Sequence, residues 1–461
     1  MTIFRNFIGG AWIPALGGDT FEDRNPADTE DLIGAFPASG AEDVQRAVSG
    51  VAAAWPAWAA RSPEQRAEVL ERAAAIIALR AGALARALTR EEGKTLDEAT
   101  VEVRRTAANF RLYAGEASRI SGETFAVSDG QLACTLREPV GVVAVITPWN
   151  FPATLPSRKI APALAMGNGV VFKPSEVTPL MGQHLVEALL EAGLPPAVIA
   201  LVHGHGSRVG RAIQQAAGVE RRCQLEMGGK NAAVVLADAD IKDAVSIVMR
   251  GAFGLSGQAC TATSRVLVAG PLYETMVARL IAAAERLTIG NGLVPGIKMG
   301  PLANAAQLEK VLGHVRRGVE AGARLRTGGT RLTAGEHGRG HFFSPTVFTD
   351  VPRDAALRRE EVFGPVIFVE PIASLDEAIA IVNETEYGLS ASIVTKDIKA
   401  ALRFARGAQA GVIKVNSPTT GNAPNAPFGG FKHSSNQAAK EQAGAGVMDF
   451  YTQTKTVYLA G

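Results

Sequence analysis

From Pro139 onward the sequence alternates short β-branched runs with stretches of helical length, and this alternation limits the folds open to it. The run VGVVAVITPWNFP is continuous and ends in proline, as in a parallel strand covered on both faces. GVVFKPS, a helix over about 178–192, VIALVHG, a further helix and AAVVLAD follow. Strands alternating with helices imply a doubly wound α/β sheet, and such sheets bind nucleotides beyond the C-terminal ends of their strands. The strings at 147–150 and 173–176 sit at such ends. A second alternating set runs from near Asp238 to about residue 430, with strands at SRVLVAG, ASIVT and GVIKVN. With 461 residues the chain exceeds one ordinary core, so two or more domains are expected.

Ahead of this pattern, residues 1–35 carry glycine, proline and short apolar runs, which predict an extended arm with small strands. Val44, Val48, Val51 and Trp55 recur at helical spacing over 41–58, and Ser62-Pro63-Glu64 is a cap followed by a first-turn proline. Helices dominate to about residue 117, and Gly93 is placed to stop one of them. The formal net charge of +2 argues against a nucleic-acid or membrane surface. No apolar run is long enough to span a bilayer, and MTIFRNFIGGAWIP lacks the parts of a signal peptide, so a cytoplasmic protein is expected. Three cysteines, Cys134, Cys223 and Cys260, are too few and scattered for a disulfide framework or a metal site. Cys260 is therefore free to react.

The stretch 224–265 carries the chemistry. It reads QLEMGGKNAAVVLADAD, then a helix-length segment, then FGLSGQACTATSR. A thiolate can form a covalent intermediate with a carbonyl carbon, and a carboxylate can activate the water that releases it. Taken alone, Cys260 also reads as a buried small hydrophobe and Glu226 as a solvated strand-end charge.

LEMGGKN at 225–231 and GQAC at 257–260 stand with TPWNFP at 147–152, KPSE at 173–176, EEVFGPV at 360–366 and NAPFGGFK at 425–432. In this order, over nearly the whole chain, they resemble the aldehyde dehydrogenase superfamily. The resemblance implies two doubly wound parallel-sheet domains plus a small oligomerisation sheet. A dinucleotide-binding domain would comprise 1–120 and 139–236, and a catalytic domain 237–430. Residues 121–138 and 446–461 would supply oligomerisation strands of a homodimer or homotetramer. It also implies Cys260 as nucleophile, Glu226 as the base for hydrolysis, and Asn150 with the backbone N–H of Cys260 as oxyanion donors. Members that pass the acyl group to coenzyme A lack this glutamate, so a free acid is the expected product.

NAD or NADP would lie along Thr147, Pro148, Trp149, Lys173, Ser175, Glu176 and Gly228, with Glu361 and Phe363 at the nicotinamide end. Lys173 suits hydroxyls or a 2′-phosphate while Glu176 favours the unphosphorylated ribose, which leaves the choice of cofactor open. CTATSRV and NSPTTGNAPNAPFGG look most like the 2-oxoglutarate semialdehyde (2,5-dioxopentanoate) dehydrogenases. Arg158, two helical turns beyond Asn150, would then grip the substrate carboxylate, or else is a solvated surface residue.

The match breaks in one place. Between VIALVHG and LEMGG the family has a helix, a short strand and a second helix whose N-terminus meets the cofactor pyrophosphate, whereas here only GHGSRVGRAIQQAAGVERRCQ intervenes. Roughly twenty residues, about one strand and one helix, are absent near 204–223. Which helix survives is open. The Gly204-His205-Gly206 turn before it could imitate a phosphate loop, and His203 and His205 read as exposed turn residues rather than metal ligands. Two functional classes follow: a working dehydrogenase, or a relative impaired in cofactor binding that acts as an esterase or assembly subunit.

Overall fold

A computed structural model describes residues 1–127, 131–218, 221–436 and 445–459. Parts of three expected segments, at 128–130, 219–220 and 460–461, lie outside the described residues. Four helices follow the N-terminal arm: α1 (Ala41–Ala59), α2 (Pro63–Leu79), α3 (Ala81–Glu92) and α4 (Leu96–Ala117). Ser62 accepts the Gln65 N–H as the N-cap of α2, and Gly93 ends α3 with φ of 96°. That left-handed turn favours glycine.

The first sheet has five strands in the order Ala11–Ile13, Asn6–Ile8, Ile199–Leu201, Gly169–Lys173, Val142–Ile146. Only the last three are mutually parallel, and the arm adds the other two antiparallel. The expected doubly wound parallel strands are thus present, extended by two antiparallel strands of the arm. Val142–Ile146, expected to be covered on both faces, forms an open edge with Ala144 exposed and Ile146 50% exposed. The physical reason lies in the shortened segment, which among the described residues contributes one helical stretch over Gly206–Ala216 and no strand to lie beside this edge. Helix α5 (Thr154–Ala165) and helix α6 (Pro179–Glu191) connect the parallel strands.

The second sheet has seven strands. Their order is Arg324–Thr327, Thr346–Thr349, Val366–Ile372, Thr263–Ala269, Asn231–Val235, Ser390–Val394, Val412–Val415. All pairs are parallel except the first. Asn231–Val235 is a central, fully buried strand of this sheet, so the expected boundary at 236/237 falls after a strand that already belongs to the second sheet. A separate antiparallel sheet orders Thr452–Leu459, Leu132–Pro139 and Thr124–Ala126, and it exposes Phe125, Leu132, Leu136, Tyr458 and Leu459. Among the described residues no helix is long and apolar enough to cross a membrane.

Candidate active site

Cys260 lies on the loop just before Thr263–Ala269, and Glu226 on the segment just before Asn231–Val235. Both thus stand at the N-terminal ends of adjacent central strands of the second sheet. Thr147 and Asn150 follow Val142–Ile146, and Lys173 closes Gly169–Lys173, at the C-terminal ends of the first sheet. The loop carrying the thiol turns sharply. Leu255 and Ser256 both have φ of 54°, and Gly257 has φ of 69° where an added Cβ would collide with the backbone of Gly364.

A cavity of about 370 Å³ brings Cys260, Glu226 and Arg158 together. The Glu226 carboxyl hydrogen-bonds the thiol, and its Oε1 is buried with no hydrogen-bond partner among the described residues. Burial pushes this carboxyl above the usual range, against the pull of the thiol hydrogen bond, Lys159 and Arg158. The solvated strand-end reading is thereby excluded. Asn150 is buried, and its Nδ2 donates to the Gln258 carbonyl at 3.0 Å, two residues before the thiol.

Arg158 is 6% exposed, so it is not a surface residue. Its guanidinium donates to Asn422 Oδ1 at 3.3 Å and makes no ion pair with a carboxylate among the described residues. Burial draws its pKa down to about 10, which leaves it cationic at neutral pH. Arg105, on α4, lines the same cavity, as does Asn422 from the NSPTTGNAPNAPFGG string. Sequence reading passed over Arg105 because its place on a cavity face follows only from how α4 packs.

The remaining expected residues form two groups. At one end, Lys173 Nζ pairs with Glu176 Oε2 at 3.0 Å, while Thr147 Oγ1 is buried with no hydrogen-bond partner among the described residues and Ser175 Oγ accepts the Val177 N–H. At the other, Glu361 Oε1 accepts the Gly229 N–H at 2.8 Å, and an added Cβ on Gly228 would collide with the Glu361 carboxylate. Trp149 meets Phe363 edge-on with ring centroids 5.4 Å apart; Phe363 has φ of 58°, and Pro148 is exposed beside the tryptophan. These residues fit the two ends of a dinucleotide, with hydroxyl-seeking groups at one and a shaped backbone cradle at the other.

The middle fits less well. The Gly206 N–H, at the start of the surviving helical stretch, donates to Glu176 Oε1 at 3.2 Å, so a carboxylate already occupies the turn expected to take phosphate. His205 is exposed as expected, but His203 is fully buried beside the Phe36 ring. Neither His203 ring nitrogen has a hydrogen-bond partner among the described residues, and burial holds its pKa down at about 3. It is a neutral core residue because it follows Ile199–Leu201 into the interior, where the arm strand Asn6–Ile8 covers it.

The aldehyde dehydrogenase family profile matches residues 12–221 and 206–457. The two matches overlap at 206–221, so the surviving helical stretch answers to two places in the family pattern. The alpha-ketoglutaric semialdehyde dehydrogenase of Bacillus subtilis is 39% identical over 479 residues, covering 99% of this chain and 98% of that protein. The 2,5-dioxopentanoate dehydrogenase of Saccharolobus solfataricus is 39% identical over 476 residues, with 98% of each chain covered. Both alignments are longer than the 461 residues available, so these relatives carry residues with no counterpart here. Among solved structures, an NAD+ complex of an aldehyde dehydrogenase from Bacillus cereus superposes with a TM-score of 0.95 at 34% identity, covering 99% of this chain and 96% of that one. With the thiol, the enclosed carboxyl and the fold in agreement, the chain belongs to the aldehyde dehydrogenase family.

Proposed function

We propose that the protein oxidises a carboxylate-bearing semialdehyde, such as 2-oxoglutarate semialdehyde, to the acid with NAD(P). One observation carries this reading: the cavity that holds the thiol also holds a buried arginine with no acid partner among the described residues. Glu226 acts on this cation across the cavity but makes no ion pair with it, and a substrate carboxylate would offset the cost of its burial through charge-assisted hydrogen bonds. Relatives named for 2-oxoglutarate semialdehyde and 2,5-dioxopentanoate support the same class.

In this mechanism Cys260 adds to the aldehyde carbon, while Asn150 and the Cys260 N–H receive the developing oxyanion. When bound, NAD(P) supplies the hydride acceptor that takes the adduct to the thioester oxidation level. Glu226 then takes a proton from water, which attacks the acyl carbon and releases the acid and the free thiol. Lys173, Glu176, Ser175 and Thr147 would hold the adenosine ribose, and Trp149, Pro148, Gly228, Glu361 and Phe363 the nicotinamide end. Lys173 holds Glu176 below the usual carboxylate range although burial acts the other way, and that charge opposes a 2′-phosphate, so NAD is preferred over NADP.

The exposed apolar residues of the small antiparallel sheet support a homodimer or homotetramer, since an uncovered edge of this kind invites aggregation. A cytoplasmic enzyme fits the free thiol. The capped Gly206 turn favours weak cofactor binding, so the impaired-relative reading is kept as the alternative. Steady-state oxidation of 2-oxoglutarate semialdehyde and of pentanal, with nicotinamide fluorescence titration alongside, tests both. The reading fails if pentanal is turned over as well as the semialdehyde acid.

A further inference from the structure

Helix α4 touches both loops that meet at the thiol, through two carboxylates one turn apart. Glu102 Oε1 accepts the backbone N–H groups of Ala153 and Thr154 at 2.9 and 3.1 Å, which are the first donors of α5. Its other oxygen pairs with Lys94 Nζ at 2.6 Å. Lys94 also donates to the Asn150 carbonyl at 2.7 Å and lies 4.7 Å from the centre of the Phe151 ring. One turn earlier, Glu98 Oε1 accepts the Leu255 N–H at 2.7 Å, while its Oε2 serves the Thr95 cap. Leu255 opens the left-handed turn that leads to Gln258 and Cys260. Asn150 Nδ2 closes the circuit by donating to the Gln258 carbonyl.

Such a pair is a poor way to gain stability. The Lys94 and Glu102 side chains are 0% and 2% exposed, and replacing a buried ion pair by packed apolar groups is often neutral or favourable. What the pair does supply is direction. Among the described residues, the side-chain hydrogen bonds of Lys94 and Glu102 beyond their ion pairs with each other and Glu92 end on the main chain of Asn150, Ala153 and Thr154, the segment that sets where the Asn150 amide points. Donors to a developing oxyanion must lie within a few tenths of an ångström of their required place, and rigid surroundings keep them there.

We propose that Lys94 and Glu102 are positioning residues for the oxyanion contact made by Asn150, with Glu98 fastening the cysteine loop to the same helix. The proposal rests on the assignment of Asn150 as an oxyanion donor.

Two reactions of Cys260 that need no cofactor separate the roles. With p-nitrophenyl acetate the thiolate attacks the acetyl carbon, charge collects on the carbonyl oxygen, the C–S bond forms and p-nitrophenolate leaves with the C–O electron pair. With iodoacetamide the thiolate displaces iodide, and no oxyanion forms. Asn150→Ala should slow the p-nitrophenolate burst by on the order of a hundredfold, and Glu102→Gln and Lys94→Met by about tenfold each, with alkylation within about twofold of the parent. Lys94→Arg, which keeps the charge, should recover part of the burst rate. A Glu102→Gln protein with an unchanged burst, or with burst and alkylation lowered together, overturns the proposal. If Glu102→Gln does not fold, Glu102→Asp decides by the same two outcomes. An unchanged burst in Asn150→Ala would instead remove the assignment of Asn150 itself.

Discussion

The two large sheets are built from the same kind of sequence and have met different fates. In the second, Asn231–Val235 and Ser390–Val394 are buried along their whole length, with helices on both faces and strands on both sides. In the first, Val142–Ile146 is richer in β-branched residues than either of these strands but leaves Ala144 and Ile146 exposed. Burial of a strand is thus decided less by its own residues than by whether a neighbour follows. The thiol and carboxyl hang from the complete sheet, whereas much of the proposed cofactor surface hangs from the incomplete one. Chemistry and cofactor affinity should therefore part company in this protein.

The largest effects are expected where the complete sheet holds the reacting groups. Cys260→Ala should abolish aldehyde oxidation, and steady turnover at the parent rate would sink the assignment. Glu226→Gln should release one burst of NAD(P)H and then stall. With Glu226 as the proposed base and burial raising its pKa, deacylation should rise with pH through a midpoint above the ordinary glutamate range. That rising limb should vanish in Glu226→Gln; its persistence would assign it to another group.

The incomplete sheet should show its deficit in cofactor affinity. A lost helix N-terminus removes N–H groups and a dipole that would meet the pyrophosphate. Two such contacts at roughly 1.5–3 kcal/mol each correspond to about a hundredfold or more in Kd. Nicotinamide fluorescence titration against the Bacillus subtilis relative measures the difference, and inserting that relative's segment at 204–223 should restore affinity. A low-micromolar Kd for the chain as it stands would mean that the Gly204–Gly210 turn has replaced the lost site despite the Glu176 cap, and the contrast between the sheets would lose its functional meaning.

Substrate choice should depend on Arg158 by a smaller factor. Loss of a charge-assisted hydrogen bond costs roughly 1.5–3 kcal/mol, so Arg158→Leu should lower kcat/KM for the semialdehyde acid about ten- to a hundredfold. Pentanal should be oxidised no worse than by the parent. Equal losses on both substrates would make the arginine a structural residue of α5.

Much of this arrangement was legible in the sequence, because period and punctuation are local. The Ser62 cap, the Gly93 stop and the β-branched runs each specify their element without help from distant residues. The motif strings named the residues around the thiol for a similar reason: sharp turns and close backbone approach leave few alternatives to glycine. What escaped was set by neighbours. His203 follows a strand exactly as a turn residue would, yet the arm buries it. Lys94, in the turn between α3 and α4, and Glu102, on α4, carry no local sign of their contacts, which form only when α5 is packed against α4. The missing strand could be counted in the sequence, but only the fold reveals which side of Val142–Ile146 it leaves open.

The smallest expected effect tests that openness directly, by making the same truncation in each sheet. Ile393 is fully buried in the second sheet, so Ile393→Ala removes packed methyl groups and leaves a cavity, at a cost of about 2–5 kcal/mol. Ile146 is half exposed at the open edge, where its methyls contact water in the folded chain nearly as they do in the unfolded one. Ile146→Ala should therefore cost less than about 1 kcal/mol, measured by denaturant unfolding under the same conditions. If the Ile146 cost instead equals that at Ile393, something covers the edge in the assembled protein. Repeating the measurement at decreasing protein concentration then distinguishes a covering subunit, whose contribution falls as the oligomer dissociates, from a cover within the chain, whose contribution does not.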